Sequence, residues 1–152
     1  MIALTILGLV ASTLLFRAKG LLDQFQAKQS LKQLMLDLRF TQQVSESYQI
    51  DIDCVLAYEP GSLVLKRTSD AVLPNAYQLK QEKRYRFKQV ADAAFNQKTF
   101  TIIQGGKVLK EETFPLSISK QERYELSLKD LTLKRLSADK TNFSWVLDKL
   151  NF

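Results

Sequence analysis

Hydrophobic and polar positions change period twice along this chain, and the changes divide it. Residues 1–16 read MIALTILGLVASTLLF and carry no charged side chain. Residues 17–48 read RAKGLLDQFQAKQSLKQLMLDLRFTQQVSESY, with one glycine and no proline. Proline first occurs at Pro60, so nothing before it forces a helix to break. The pattern predicts one continuous helix, apolar at its start and amphipathic afterwards, spanning roughly 70 Å at about 1.5 Å per residue. Leu21, Leu22, Phe25, Leu31, Leu34, Met35, Leu38 and Val44 recur at spacings near three and four. That stripe is expected to pack on the chain's own body. The turns over 21–27 are the exception and could instead form a seam with a partner helix. Gly20 lowers local helix stability by about 1 kcal/mol and permits a bend.

From Tyr48 the period becomes two. Ile50, Ile52, Cys54 and Leu56 fall on one face of a predicted half-buried strand. Glu59-Pro60-Gly61-Ser62 is a turn signal, and 63–67 pairs back as a hairpin. Residues 69–75 read as loop. Over 77–90, Tyr85 and Phe87 alternate with Arg84, Arg86 and Lys88. Gly105-Gly106 signals a two-residue hairpin between strands at 98–104 and 107–113. Short strands follow at 114–119, 124–128 and 131–136. A last one at 143–152 brings Phe143, Trp145, Val146 and Leu150 to the core. Turn signals about every ten residues suit an antiparallel sandwich. The expected fold is α+β: a long N-terminal helix, half membrane and half amphipathic, packed on a small antiparallel β-sandwich-like domain. The expected divisions are 1–22, 23–48 and 49–152.

The apolar segment needs an environment. Sixteen residues make a helix of roughly 24 Å, short of a ~30 Å hydrocarbon core. Leu21 and Leu22 extend it, and Arg17 and Lys19 can snorkel to the interface. A cleaved secretory signal fits poorly because no basic stretch leads the apolar run. A core helix is the second alternative. A retained, single-pass membrane anchor is the favoured reading, with Met1, Ile2, Leu4, Ile6, Leu7, Leu9, Val10, Leu14, Leu15 and Phe16 as its apolar surface. Arg17, Lys19, Lys28 and Lys32 all follow the anchor, so charge bias alone would place the body in the cytoplasm.

Composition narrows the chemistry. The 152 residues are 45% hydrophobic, which argues against general disorder. No histidine occurs, which excludes Ser-His-Asp and Cys-His systems and the usual zinc sites. No phosphate-binding glycine loop occurs either. Cys54, the single cysteine, falls on an inward strand face and reads as a buried structural thiol. Asp51 and Asp53 share a strand face, and Glu111-Glu112 follow each other, but solvated acids are the simpler reading of both. The expectation is a non-enzymatic protein with no catalytic residue, cofactor or metal.

One stretch rises above this background. Residues 80–88 read KQEKRYRFK, five basic side chains against one acidic. Lys83, Arg84, Arg86 and Lys88 form a candidate anionic-ligand patch, which Lys134, Arg135 and Lys140 could extend. The net charge of +6 permits contact with nucleic acid or lipid head groups. A solubilising face or a charge-protected edge strand is the plainer alternative.

An apolar helix that continues as an amphipathic one into a small β domain resembles the type IV pilin-like proteins, including the pseudopilins of type II secretion systems. Leu34-Met35-Leu36-Asp37-Leu38-Arg39-Phe40-Thr41-Gln42-Gln43-Val44, leading to Tyr48-Gln49-Ile50-Asp51-Ile52, is similar to the H-type minor pseudopilins and FimT-like minor pilins. In those proteins a comparable helix end feeds the first strand. The family pattern opens with a glycine-ended leader followed by aromatic-Thr-Leu-Ile-Glu. Here Thr5 stands where the glutamate is usual. The resemblance therefore implies a divergent minor subunit, near the tip of a secretion or pilus filament. It implies other pilin-like subunits and the bacterial inner membrane as partners, with the β domain periplasmic and secreted protein as cargo. Two other readings stay open: a DNA-binding minor pilin that uses the basic strand for nucleic acid, and a bitopic membrane protein with a cytoplasmic scaffold domain.

Overall fold

The computed structural model describes residues 2–71, 81–87, 97–109, 113–119, 122–138 and 145–149. Helix α1 (Ile2–Tyr48) is 47 residues long and passes through Gly20 without interruption. With no proline to remove a donor, each turn can close its own hydrogen bonds.

The helix ends by a specific device. Gln49 takes φ 53°, in the left-handed region. The Ile50 N–H then donates to the Ser45 carbonyl at 3.2 Å, the six-to-one bond of a Schellman motif. The Ser45 hydroxyl lies 2.7 Å from the Ile50 carbonyl and 2.8 Å from that of Ile103. One buried serine thus joins the helix end, the exit loop and a strand.

Among the described residues, nine strands follow in two antiparallel sheets. The first holds β1 (Ile52–Glu59), β2 (Ser62–Thr68), β3 (Glu82–Arg86), β4 (Gln97–Ile103) and β5 (Lys107–Val108), in the order β3-β2-β1-β4-β5. The second holds β6 (Thr113–Ser117), β7 (Glu122–Ser127), β8 (Thr132–Ala138) and β9 (Trp145–Lys149), in sequence order. The α+β architecture expected from the sequence is the one observed.

The core is one cluster drawn from α1 and both sheets. Leu31, Leu34, Met35, Leu38 and Val44 come from the helix. Ile52, Cys54 and Leu56 alternate inward along β1, with Leu63 and Leu65 from β2 and Phe100 and Ile102 from β4. Phe114, Leu116, Tyr124, Leu126 and Leu133 come from the second sheet. The helix lies against β3 and β4, so its rear half roofs the first sheet.

Several boundaries differ from the periodic reading. The first strand begins at Ile52, because the helix and its cap occupy 48–50. Ile50 is still partly buried against the core. The glycine hairpin has a three-residue connection, since Ile103 pairs with Lys107. Gly105 and Gly106 take φ 86° and 74°, and Asp51 Oδ1 accepts the Gln104 N–H at 2.9 Å. The strand expected over 107–113 is two pieces: β5 stops at Val108, and Thr113 opens β6 in the other sheet. Leu21, Leu22 and Phe25 do not pack on the body with the rest of their stripe; all three are exposed. Contact with the body begins at Ala27, the first buried residue among the described part of the helix.

Cys54 is fully buried, and burial pushes its thiol up to about 12. It is a core residue rather than a nucleophile. Asp53 accepts a hydrogen bond from the Thr101 hydroxyl at 2.6 Å, so Asp51 and Asp53 have separate structural partners. Glu111-Glu112, Phe143, Leu150 and Lys140 lie outside the described residues, as does the greater part of the 69–75 loop.

Candidate functional site: an exposed helix and a charged edge strand

Two surfaces are candidates for contacts beyond the chain. The first is the projecting part of α1. Leu4, Leu7, Leu9, Leu15 and Phe16 are 68 to 81% exposed, and Ile6, Val10 and Leu14 are exposed as well. Met1 lies outside the described residues, and only the backbone of Ile2 is described. This helix is long and apolar enough to cross a membrane, and the apolar part is not buried by the protein. Water is a poor solvent for such a surface.

The exposed apolar line does not stop at the end of a bilayer-length segment. Leu4, Leu22 and Phe40 are spaced by eighteen residues, about five helical turns, and so share a face. Leu7, Phe25 and Leu36 fall near the same face at about 100° per residue. Leu36 and Phe40 are 48% and 41% exposed, opposite the packed residues Leu31, Leu34 and Leu38. From Leu4 to Phe40 this line runs roughly 54 Å, well beyond a ~30 Å hydrocarbon core. A bilayer is long enough to cover its front but not to reach Leu36 and Phe40 at its rear.

The second surface surrounds β3. Tyr85 and Phe87 are buried beneath the helix, and Arg84 and Arg86 are exposed. Alternation along the strand therefore splits the basic stretch into two sets with different work. On the helix side, Asp37 Oδ2 accepts the Tyr85 hydroxyl at 2.5 Å and pairs with Lys83 Nζ at 2.6 Å. Burial pushes the Asp37 carboxyl up, but the bonds from Lys83 and Tyr85 outweigh it and hold the group below its usual 3.8. The Tyr85 hydroxyl is pushed up by burial and by the same hydrogen bond. Nearby, Arg67 is 5% exposed and donates to Thr41 Oγ1 at 3.0 Å. Thr41 in turn donates to the Asp37 carbonyl at 2.7 Å. These contacts pin the helix to β2 and β3.

On the outer side, Arg84 pairs with Glu59 and Glu82, each at 2.9 Å. Its guanidinium is held above the usual value, first by the Glu82 hydrogen bond. Among the described residues, Arg86 has no carboxylate within ion-pair distance. Lys88 lies outside the described residues. Arg135 belongs elsewhere: its Nη2 meets Glu122 Oε1 at 3.1 Å, and Lys28 reaches the same oxygen at 3.0 Å. That node clamps α1 to the second sheet. So of the basic side chains read from the sequence, Lys83 docks the helix, Arg135 pairs within the second sheet with the carboxylate that Lys28 also reaches, Arg84 is shared with two carboxylates, and Arg86 has no carboxylate partner among the described residues.

The sequence reading missed Arg67, Thr41 and Ser45 as buried polar anchors. A signal for one existed. Arg67 continues the inward phase of Leu63 and Leu65 along β2, so an arginine at that position had to find a partner indoors. Among the described residues, no cluster of His, Cys, Asp or Glu could hold a metal ion. Comparison with protein-family models, curated proteins and solved structures gives no match.

Proposed function

We propose that this chain is a non-enzymatic, minor pilin-like subunit, held in the bacterial inner membrane by the front of α1 and assembled into a secretion or pilus filament through that helix. One observation carries this reading: a 47-residue helix whose apolar front projects from the body and whose outer apolar line extends past bilayer length. A simple anchor needs lipid alone. A helix that also presents Leu36 and Phe40 beyond the bilayer suits a role in which neighbouring helices replace lipid along its length. The β body would then remain outside the membrane, facing other subunits or cargo.

The test is site-specific photo-crosslinking in cells that carry a pilin-like system. A photoreactive residue at Leu14 or Phe40 should give protein adducts with other pilin-like subunits, and one at Glu46 should not. Adducts to lipid alone at both positions would overturn the assembly reading while leaving the anchor intact. Orientation needs its own probe, because Cys54 is buried. A Cys54→Ala, Asp130→Cys chain should react with a membrane-impermeant maleimide from the periplasmic side. Protection there would support the bitopic cytoplasmic alternative, which Arg17 and Lys19 favour.

A further inference from the structure

Edge strand β3 and the flank of α1 enclose a trough. Gln26, Gln29, Ser30 and Gln33 form one wall, and Lys83, Arg84, Tyr85 and Arg86 form the other, around a volume of about 330 Å³. A second hollow of about 290 Å³ adjoins it at Gln26 and Arg86 and continues past Lys19, Asp23 and Gly61. From Lys19 to Gln33 the helix wall is roughly 21 Å long, the length of about six extended residues.

Register decides what β3 offers to this trough. The Phe87 N–H donates to the Gly61 carbonyl, and the Arg67 N–H to the Gln81 carbonyl. Residues 81, 83, 85 and 87 therefore turn their backbone groups toward β2, since antiparallel pairs alternate. The N–H and C=O groups of Glu82, Arg84 and Arg86 face the other way. Among the described residues no strand pairs with that edge. Unpaired strand groups are a template for another strand.

The walls give the visitor its chemistry. Four neutral amide and hydroxyl side chains on the helix can serve a polypeptide main chain as donors and acceptors. Residues directly opposite Arg84 and Arg86 on an added strand would place their side chains on the same face as those guanidiniums. Acidic residues at alternate positions match them.

We propose that the trough is a docking site for an extended acidic segment of a partner protein, added to β3 as a sixth strand of the first sheet. This does not depend on the membrane reading of α1. Strand addition draws affinity from main-chain hydrogen bonds and register from alternate side chains. The open guanidinium of Arg86 and the shared one of Arg84 select against a basic segment. Asp23 and Glu82 at the two ends limit how far the acidic pattern can extend.

Fluorescence polarisation tests this with the full-length chain in detergent micelles and a fluorescein-labelled (Thr-Glu)4 peptide. Saturable binding is expected. N-methylation of alternate peptide amides, along the edge that meets β3, should weaken it at least tenfold. Arg84→Pro removes an outward N–H and no ladder bond, and should weaken binding as much; Arg84→Ala should cost about threefold. Absence of saturable binding overturns the proposal. So does equal affinity for the N-methylated peptide, which reads the edge without any protein variant and decides the matter even if Arg84→Pro fails to fold. A labelled duplex DNA that binds more tightly than the peptide, with a steep salt dependence, would reassign the surface to nucleic acid.

Discussion

The front and rear of α1 are one helix with two kinds of surface. Both parts are rich in leucine, and both show apolar residues at helical spacing. Before Ala27 none of the described large apolar side chains is buried by the protein; from Ala27 onward a whole face is. The difference lies in what the opposite face carries. Behind Ala27 the chain interleaves leucines with Lys28, Lys32, Asp37, Arg39 and glutamines, so one side can be wet while the other is dry. Ahead of Arg17 every side is apolar or small, which no single packed face can satisfy. Burial of the rear depends on β2, β3 and β4; burial of the front depends on something outside the chain.

This contrast can be broken from either end, and the rear should give the larger effect. Leu38 is fully buried between helix and sheet. Leu38→Ala should cost about 2–5 kcal/mol of body stability, read by denaturant unfolding, with membrane partition unchanged. Leu9→Arg should do the opposite. It would disfavour membrane insertion by about 3 kcal/mol, read by fractionation, and leave the unfolding of the body where it was. If either substitution moves both readouts, the two parts of α1 are not energetically separate.

The β4–β5 hairpin sharpens the contrast, because it is where the helix meets a backbone rather than side chains. Gln42 Nε2 donates to the Gly106 carbonyl at 2.7 Å. A Cβ on Gly106 would sit 2.8 Å from Gln42 Cγ, at φ 74°. Gly106→Ala combines a crowded contact with a left-handed backbone, so about 1–3 kcal/mol should be lost. Gly105→Ala meets nothing within 4 Å and should lose only the backbone part, about 1 kcal/mol. Thermal unfolding of the two variants side by side isolates the helix contact. If they lose equal stability, Gln42 gives way and the helix does not rest on this turn.

Much of this was legible in the sequence, and the exceptions share a cause. The uninterrupted helix, the inward set Ile52, Cys54 and Leu56, and the β1–β2 hairpin follow from local period and turn chemistry. Whether Leu21, Leu22 and Phe25 are buried does not, because period says which residues share a face and not what lies opposite. The basic stretch illustrates the same limit. KQEKRYRFK shows its charges in sequence, but Asp37 and Glu59, which pair with Lys83 and Arg84, lie 46 and 25 residues away along the chain. A strip that looks uniformly cationic in one dimension is partly neutralised in three.

Asp37 turns that neutralisation into a pH prediction. Its folded carboxyl is held below the ordinary value of 3.8. A carboxyl with a depressed folded value adds stability that is complete above its ordinary value and is lost as pH falls through the lower one. Asp37→Asn should therefore cost about 1 kcal/mol at pH 7, because water still reaches the pair. The gap to the parent chain should hold down to about pH 4 and close below it. A gap independent of pH would mean that Asp37 serves by shape and not by charge.

The smallest effect should come from the helix end, where the docked part of α1 finishes. Gln49 adopts a left-handed conformation that costs a non-glycine residue about 1–2 kcal/mol. It does so because the Ile50 N–H must return to Ser45, and Ile50 must turn toward the core. Gln49→Gly removes the steric cost but leaves the unfolded chain more freedom. The net should be a gain of about 0.5–1 kcal/mol, seen as a higher midpoint in denaturant with an unchanged slope. A loss would show that the Gln49 side chain, whose Nε2 donates to the Glu46 carbonyl at 2.6 Å, holds the cap more firmly than backbone strain loosens it.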